Sequence, residues 1–235
     1  MDHMIHILDD TALVLSADPL PFEAENAAHI DVFWEQAFAA NPHLWNGVFY
    51  MFSNVRIEDN VLCGTAHRTD FATFLYWRDH RRDKAVTHIT GTTLPATSDN
   101  ILLAIKMSKH TANAGRVYFP SGSFDIDDLV RGEFDVVRNF SREMEEEIGL
   151  EVRPEWLHGP FVATQMDDVW EVTRVMKLPM DFASVEKHWQ RHRAAGGDDE
   201  IEGLVPIASS LHCPKEMPLF AQELSRYYFE NYKPA

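Results

Sequence analysis

Apolar residues recur every three or four positions through 136–148, at Val136, Val137, Phe140, Met144 and Ile148, which predicts a helix with one buried stripe. Gly149 then supplies a left-handed stop. A second stripe, Ile30, Phe33, Trp34, Ala37 and Phe38, predicts a helix over 23–40 that ends at Asn41-Pro42. A third helix is expected over 69–82 with Phe71, Phe74, Leu75 and Trp77 inward, and two more over 185–195 and 219–232. Short β-branched or alternating runs predict strands at 5–16, 48–57, 61–66, 86–93, 101–107, 116–119, 161–165, 169–178 and 201–208. Turns fall at 58–60, at 98–100 and at Asp167-Asp168. Strands and helices that do not alternate regularly point to an α/β protein of the α+β kind, or to a layered sandwich. The texture changes near Ala85, which divides an expected N-terminal α+β extension, 1–84, from a core domain, 85–235.

Composition narrows the partners. The 235 residues are 45% hydrophobic and 25% charged, an ordinary globular balance. A net charge of −16 offers no basic stripe, so neither a nucleic-acid backbone nor an anionic membrane is an expected partner. No apolar run approaches the length of a membrane span, and the two cysteines, Cys63 and Cys213, lack metal-ligand spacing. Free thiols in a cytoplasmic protein are the expectation.

Charge changes the picture most on the 136–148 helix. Glu143, Glu146 and Glu147 stand at i, i+3 and i+4, so their carboxylates crowd one face. They also lie at the negative end of the helix dipole, where Lys or Arg would be stabilising. A hard divalent cation resolves such a cluster; a solvated acidic face is the bland alternative. Two other features read structurally: the basic 78–84 segment as a helix C-terminus, and His188 with His192 as part of a basic helix face near Lys187, Arg191 and Arg193. Trp45, Phe49, Tyr50, Trp77 and Trp170 read as core aromatics able to stack on a base.

The run Arg142-Glu143-Met144-Glu145-Glu146-Glu147-Ile148-Gly149-Leu150 resembles the second half of the Nudix box, R-E-U-x-E-E-x-G-U with U aliphatic, at every specified position. Phe119-Pro120-Ser121-Gly122 resembles the "PGG" that opens the box, with Ser121 for the first glycine. Between them the family's G-x5-E-x7-R spacing, counted back from Arg142, lands on Asp128 and Phe134. The loop is therefore longer than the family's. Gly132-Glu133 resembles the "GE" before the helix, and Glu133 and Asp135 are rivals for the first box glutamate.

The resemblance implies an α/β/α sandwich with a mixed sheet. It implies hydrolysis of a nucleoside diphosphate linked to another moiety, a nucleotide sugar or similar compound, with Mg²⁺ or Mn²⁺ as cofactor. Glu143, Glu146 and Glu147 match the metal-holding positions; Glu143 and Glu147 are the catalytic carboxylates, with Glu143 first as general base. Arg142 orients a glutamate. A later acid completes the set, Glu200 being preferred among Asp167, Asp168 and residues 198–202. Gly122 and Glu133 belong to the substrate loop. The implied partner is a small nucleoside diphosphate derivative, and a homodimer stays open. Markers of particular substrates are missing; the position where some relatives carry proline is Met166. Two other readings stand beside this one: a catalytically weak nucleotide-binding or sensor module, and an isomerase-like member acting on an isoprenyl diphosphate.

Overall fold

The computed structural model describes residues 4–80, 82–197 and 199–232, and within them two mixed sheets and five α-helices. The strands are β1 (Met4–Leu8), β2 (Asp10–Leu15), β3 (Val48–Glu58), β4 (Val61–Asp70), β5 (His88–Ala96), β6 (Leu102–Met107), β7 (Val117–Tyr118), β8 (Ser121–Ser123), β9 (Leu129–Val130), β10 (Glu133–Phe134), β11 (Leu157–Met166), β12 (Val169–Lys177) and β13 (Ile201–Ile207). The helices are α1 (Pro21–Ala40), α2 (Phe71–Asp79), α3 (Val136–Ile148), α4 (Phe182–Ala194) and α5 (Leu219–Asn231). The fold is thus mixed α+β, as the pattern of elements predicts.

The larger sheet runs β1-β11-β12-β5-β6-β13, with β7 paired to β6 and β8 to β5. The smaller runs β3-β4-β2-β10-β9. Segments from both sides of residue 85 enter each sheet. β1 pairs antiparallel with β11, while the β9–β10 hairpin pairs with β2 through Glu133 and Val14. Phe52 and Thr87 exchange backbone hydrogen bonds of 2.8 and 2.7 Å where the two sheets meet.

Local chemistry explains the helix ends. The Asp70, Asp135 and Asp181 side chains accept from the backbone N–H groups of Thr73, Arg138 and Ser184, so α2, α3 and α4 each start on an aspartate cap. Helix α2 is shorter than the periodicity predicts and ends at Asp79. Gly149 closes α3 at φ 79°, the conformation a C-terminal glycine permits. The loop ahead of α3 is not slack: β9 and β10 turn through Arg131 at φ 55° and Gly132 at φ 91°. Its Phe134 sits in an aromatic cluster with Tyr50, Phe52 and Phe124, ring centroids 4.8 to 6.4 Å away. That cluster anchors the start of α3 on the smaller sheet.

Alternation along the strands assigns the two faces of the larger sheet. Gly91 pairs with Gly122 and Val172, and a Cβ on Gly91 would strike Asn139 of α3 at 2.1 Å, so this face carries α3. Thr90 pairs with Ser123 and Glu171 and looks the other way, toward α2 and the start of α5. The sheet lies between helices. Among the described residues no helix is long and apolar enough to cross a membrane.

Candidate active site

Helix α3 packs with Val136, Phe140, Met144 and Ile148 buried, which leaves Glu143 on the edge against β8 and Glu145 exposed on the far side. Glu143 lies against the Gly122 backbone so closely that a Cβ there would meet Oε1 at 1.9 Å. Glycine is therefore required at 122 for Glu143 to occupy this place. Burial pushes the Glu143 carboxyl up to about 7; Glu146 and Asp128 add to the rise, and Arg142 opposes it. Glu147, one turn further, is also buried, whereas Glu146 is largely exposed.

Arg142 organises these acids. Its Nε and Nη2 donate to the two oxygens of Asp128 at 3.2 and 3.0 Å, and Nη2 also reaches the Ser123 carbonyl at 3.3 Å. Its Nη1 stands 2.8 Å from Glu143 Oε1 and 3.0 Å from Glu146 Oε2. Burial works against the guanidinium charge, but the Asp128 bond and the surrounding carboxylates outweigh it and hold the pKa above the ordinary arginine value. Asp128 is fully buried; it also accepts from Asn139 Nδ2 and from the Asp125 N–H, both at 2.8 Å. A buried carboxylate held by three donors is stable without water.

This arrangement places the residues expected from sequence. Arg142, Glu143, Glu146 and Glu147 share one edge of α3, with Gly122 beneath Glu143. Glu133 is not brought to them: it is exposed on β10, opposite Val14. Its rival Asp135 caps α3. The acid facing Arg142 is Asp128, because the β9–β10 hairpin absorbs the extra loop residues and returns the chain to α3 beyond it. Glu200 is exposed, and its charge acts on Tyr118 together with those of Glu147 and Glu171. Asp199 pairs with His110 and Glu202 with Lys106, while Asp198 lies outside the described residues. His188 and His192 approach the Gly149 and Glu146 carbonyls through Nε2 at 2.8 and 2.9 Å, so α4 secures the carbonyl end of α3.

On the other face of the sheet lies a cleft of about 330 Å³, which reaches Gly122 from the side opposite Glu143. One wall is aromatic: Phe49 and Phe74 stack at 4.5 Å, and Phe74 lies 4.5 Å from the His88 ring. Burial, with Arg78 and Arg82 nearby, drives the His88 pKa down to about 3, so its ring is neutral. Arg78, Arg82 and Arg116 also line the cleft. The basic segment read as a plain helix end therefore borders a cavity, although Arg81 lies outside the described residues. Phe49 and Trp77 line the cleft too, while Trp170 stacks on His6 instead. Cys63 and Cys213 are free thiols.

The functional candidate that sequence reasoning missed is Glu171. It is 8% exposed on the cleft floor, and burial pushes its pKa up to about 7 against the opposing Thr90 and Thr92 hydroxyls. An acid set between Trp170 and Val172, in a strand with no other carboxylate, was the available signal.

The donor chemistry fits a hard divalent cation, since it is all oxygen and includes the Glu143 carboxyl, whose ionisation burial opposes. The donors are not gathered around one point, however. Among the described residues no group of three or more His, Cys, Asp or Glu has metal-holding spacing. The Arg142 guanidinium lies between Glu143 and Glu146.

No family model matches the chain, and neither does any curated protein. Among solved structures it is similar to a MutT protein from Methanosarcina mazei Go1 at 17% identity, over 63% of this chain and 96% of that one, with a TM-score of 0.45. It is similar to a NUDIX hydrolase from Nitrosomonas europaea at 16% identity, over 52% and 72% of the two chains, with a TM-score of 0.34. It is also similar to a chain of the complex between the C-terminal domain of mouse MUTYH and human PCNA, at 11% identity over 63% and 90%, with a TM-score of 0.38.

Proposed function

We propose that this protein is a Nudix-type pyrophosphohydrolase that cleaves the diphosphate linkage of a nucleoside diphosphate joined to another moiety. The observation that supports this best is the α3 edge itself. A complete R-E-U-x-E-E-x-G-U run sits on a helix whose arginine is anchored by a buried aspartate and whose first glutamate rests on a glycine bordering the cleft.

In this reading Glu143, Glu146 and Glu147 would hold Mg²⁺ or Mn²⁺, with Glu200 as a further candidate from the β13 side. A cation held there would neutralise diphosphate charge and acidify water. Glu143 takes the proton from the attacking water; a phosphorus–oxygen bond forms from water, and the bridging phosphorus–oxygen bond breaks. Arg142 orients Glu143 and Glu146 while Asp128 fixes its plane. The cleft receives the organic part of the substrate, and its arginines contribute positive charge that the chain lacks as a whole.

The test is product release from a panel of nucleoside-diphosphate-linked compounds, with Mg²⁺ or Mn²⁺, by wild type and by Glu147→Gln. Metal-dependent turnover that disappears in the variant supports the proposal. Full activity in the variant, or no turnover on any compound, overturns it. One observation favours a second reading, a nucleotide-binding module: Arg142 already bridges Glu143 and Glu146. Saturable binding without turnover would identify that alternative.

A further inference from the structure

Glu171 has no part in the chemistry just described, yet its surroundings are those of a recognition group. Thr90 Oγ1 donates to Glu171 Oε2, and Thr92 Oγ1 donates to the same oxygen at 2.6 Å. These threonines sit two apart on β5, so both hydroxyls approach from one side. Both bonds fall on Oε2. Among the described residues Oε1 accepts none, although Glu171 lines the cleft. A buried carboxylate with one oxygen satisfied by the protein and the other left to a cavity is arranged to accept a donor from a ligand.

The rest of the cleft says what kind of ligand carries that donor. Phe49, Phe74 and the neutral His88 ring present flat surfaces, which suit an aromatic ring better than a saturated one. His88 Nε2 is 3.2 Å from Ser123 Oγ, which ties the ring to β8, the strand that carries Gly122. Glu171, Thr90 and Ser123 are neighbours in register across three strands. The span from Glu171 to the Gly122 edge is therefore about 10 Å, two strand spacings, comparable with the distance from a nucleobase to its diphosphate. Arg82 and Arg116 around the same cleft provide positive charge for such a diphosphate, while Arg78 is held by Asp79 through two hydrogen bonds.

We infer that Glu171 is a specificity-determining residue that accepts an N–H bond from the amino group of a nucleobase held against Phe49, Phe74 and His88. The substrate class is then a nucleoside diphosphate derivative with an amino-bearing base. The inference rests on the cleft being the substrate site of the hydrolase reading above, but its test does not require turnover.

Equilibrium binding of matched nucleoside diphosphates, cytidine against uridine and adenosine against inosine, replaces the exocyclic amino group by an oxo group and protonates the adjacent ring nitrogen; adenosine against unsubstituted purine riboside removes the amino group alone. At pH 8, where Glu171 is ionised and can only accept, wild type is expected to prefer the amino member of each pair by about tenfold or more, since a site built around a hydrogen bond rejects analogues that cannot make it. Glu171→Gln is the decisive variant. If its amide oxygen keeps the two threonine bonds, its NH₂ faces the cleft and offers a donor, so the preference should fall and turn toward the oxo member. Glu171→Asp keeps the charge but withdraws it by one methylene, and should weaken binding of amino members while preserving their rank. Melting curves confirm that each variant is folded. Equal binding within the pairs by wild type, no binding of any member, or an unchanged preference in Glu171→Gln each overturns the assignment. Selectivity without hydrolysis removes only the hydrolase reading; hydrolysis without selectivity removes this one.

Discussion

Replacing Glu171 by Gln should stabilise the protein, and increasingly so as pH rises. The carboxyl is raised from 4.5 to about 7, with burial as the main cause. Its sign follows from proton binding: between those values the native state keeps a proton that the unfolded chain has lost, so stability falls as pH climbs through the interval. Ionising the buried group costs on the order of 3 kcal/mol, at roughly 1.4 kcal/mol per tenfold in affinity for the proton. The amide escapes that cost while retaining an oxygen for Thr90 and Thr92. Near pH 5 the variant and wild type should differ by less than about 1 kcal/mol; near pH 8 the variant should lead by roughly 2–3 kcal/mol more. For a chain of this size that corresponds to a melting-temperature gain of about 5–10 °C. Thermal unfolding of both proteins across the range reads the difference directly. Glu143 rises in the same direction but is present in both proteins, so it cancels. Parallel stability curves from acid to alkaline pH would refute the claim that Glu171 is desolvated in the native state.

Two further substitutions probe the α3 edge. Gly122→Ala puts a methyl where Glu143 Oε1 now lies, and the carboxylate must swing away because it is the movable partner; hydrolysis should drop by about 100-fold, in the range of a lost general base, while melting changes little. Retained activity would show that Glu143 does not work from its present position. Arg142→Ala leaves the fully buried Asp128 without its guanidinium and should cost roughly 3–5 kcal/mol in chemical denaturation. A loss below about 1 kcal/mol would mean that Asn139 and the Asp125 N–H suffice to hold it.

The parts of the fold that were legible in the sequence are those governed by near neighbours. Whereas Asp135, a rival in sequence for the first box glutamate, is the N-terminal cap of helix α3, the stripe of that helix and its closing Gly149 were readable because both are local signals. The same holds for the turn at Asp59 and Asn60, both at positive φ between β3 and β4. Helix α2 was overextended because the basic run 78–84 suits a helix C-terminus in sequence, whereas the helix stops at Asp79. The grouping of Glu143, Glu146 and Glu147 follows from helical periodicity alone, and Arg142, next to Glu143 in sequence, joins them through its long side chain.

Partners across the fold were decided elsewhere. Nothing near Asp128 in sequence marks it as the acid that faces Arg142. That contact exists because β9 and β10 fold into a hairpin against β2, which fixes where the chain re-enters α3. Glu171 is a lone acid in a strand until β5 lays Thr90 and Thr92 beside it and α2 roofs the cleft. Arg78 and Arg82 suit a helix terminus in sequence; the packing of α2 over the larger sheet turns them toward a cavity. Sequence set the helical carboxylate cluster and its neighbours, since a 3.6-residue repeat carries its own geometry. Which buried acid answers the arginine, and which acid waits in the cleft, depended on strand register and sheet packing between segments far apart in the chain.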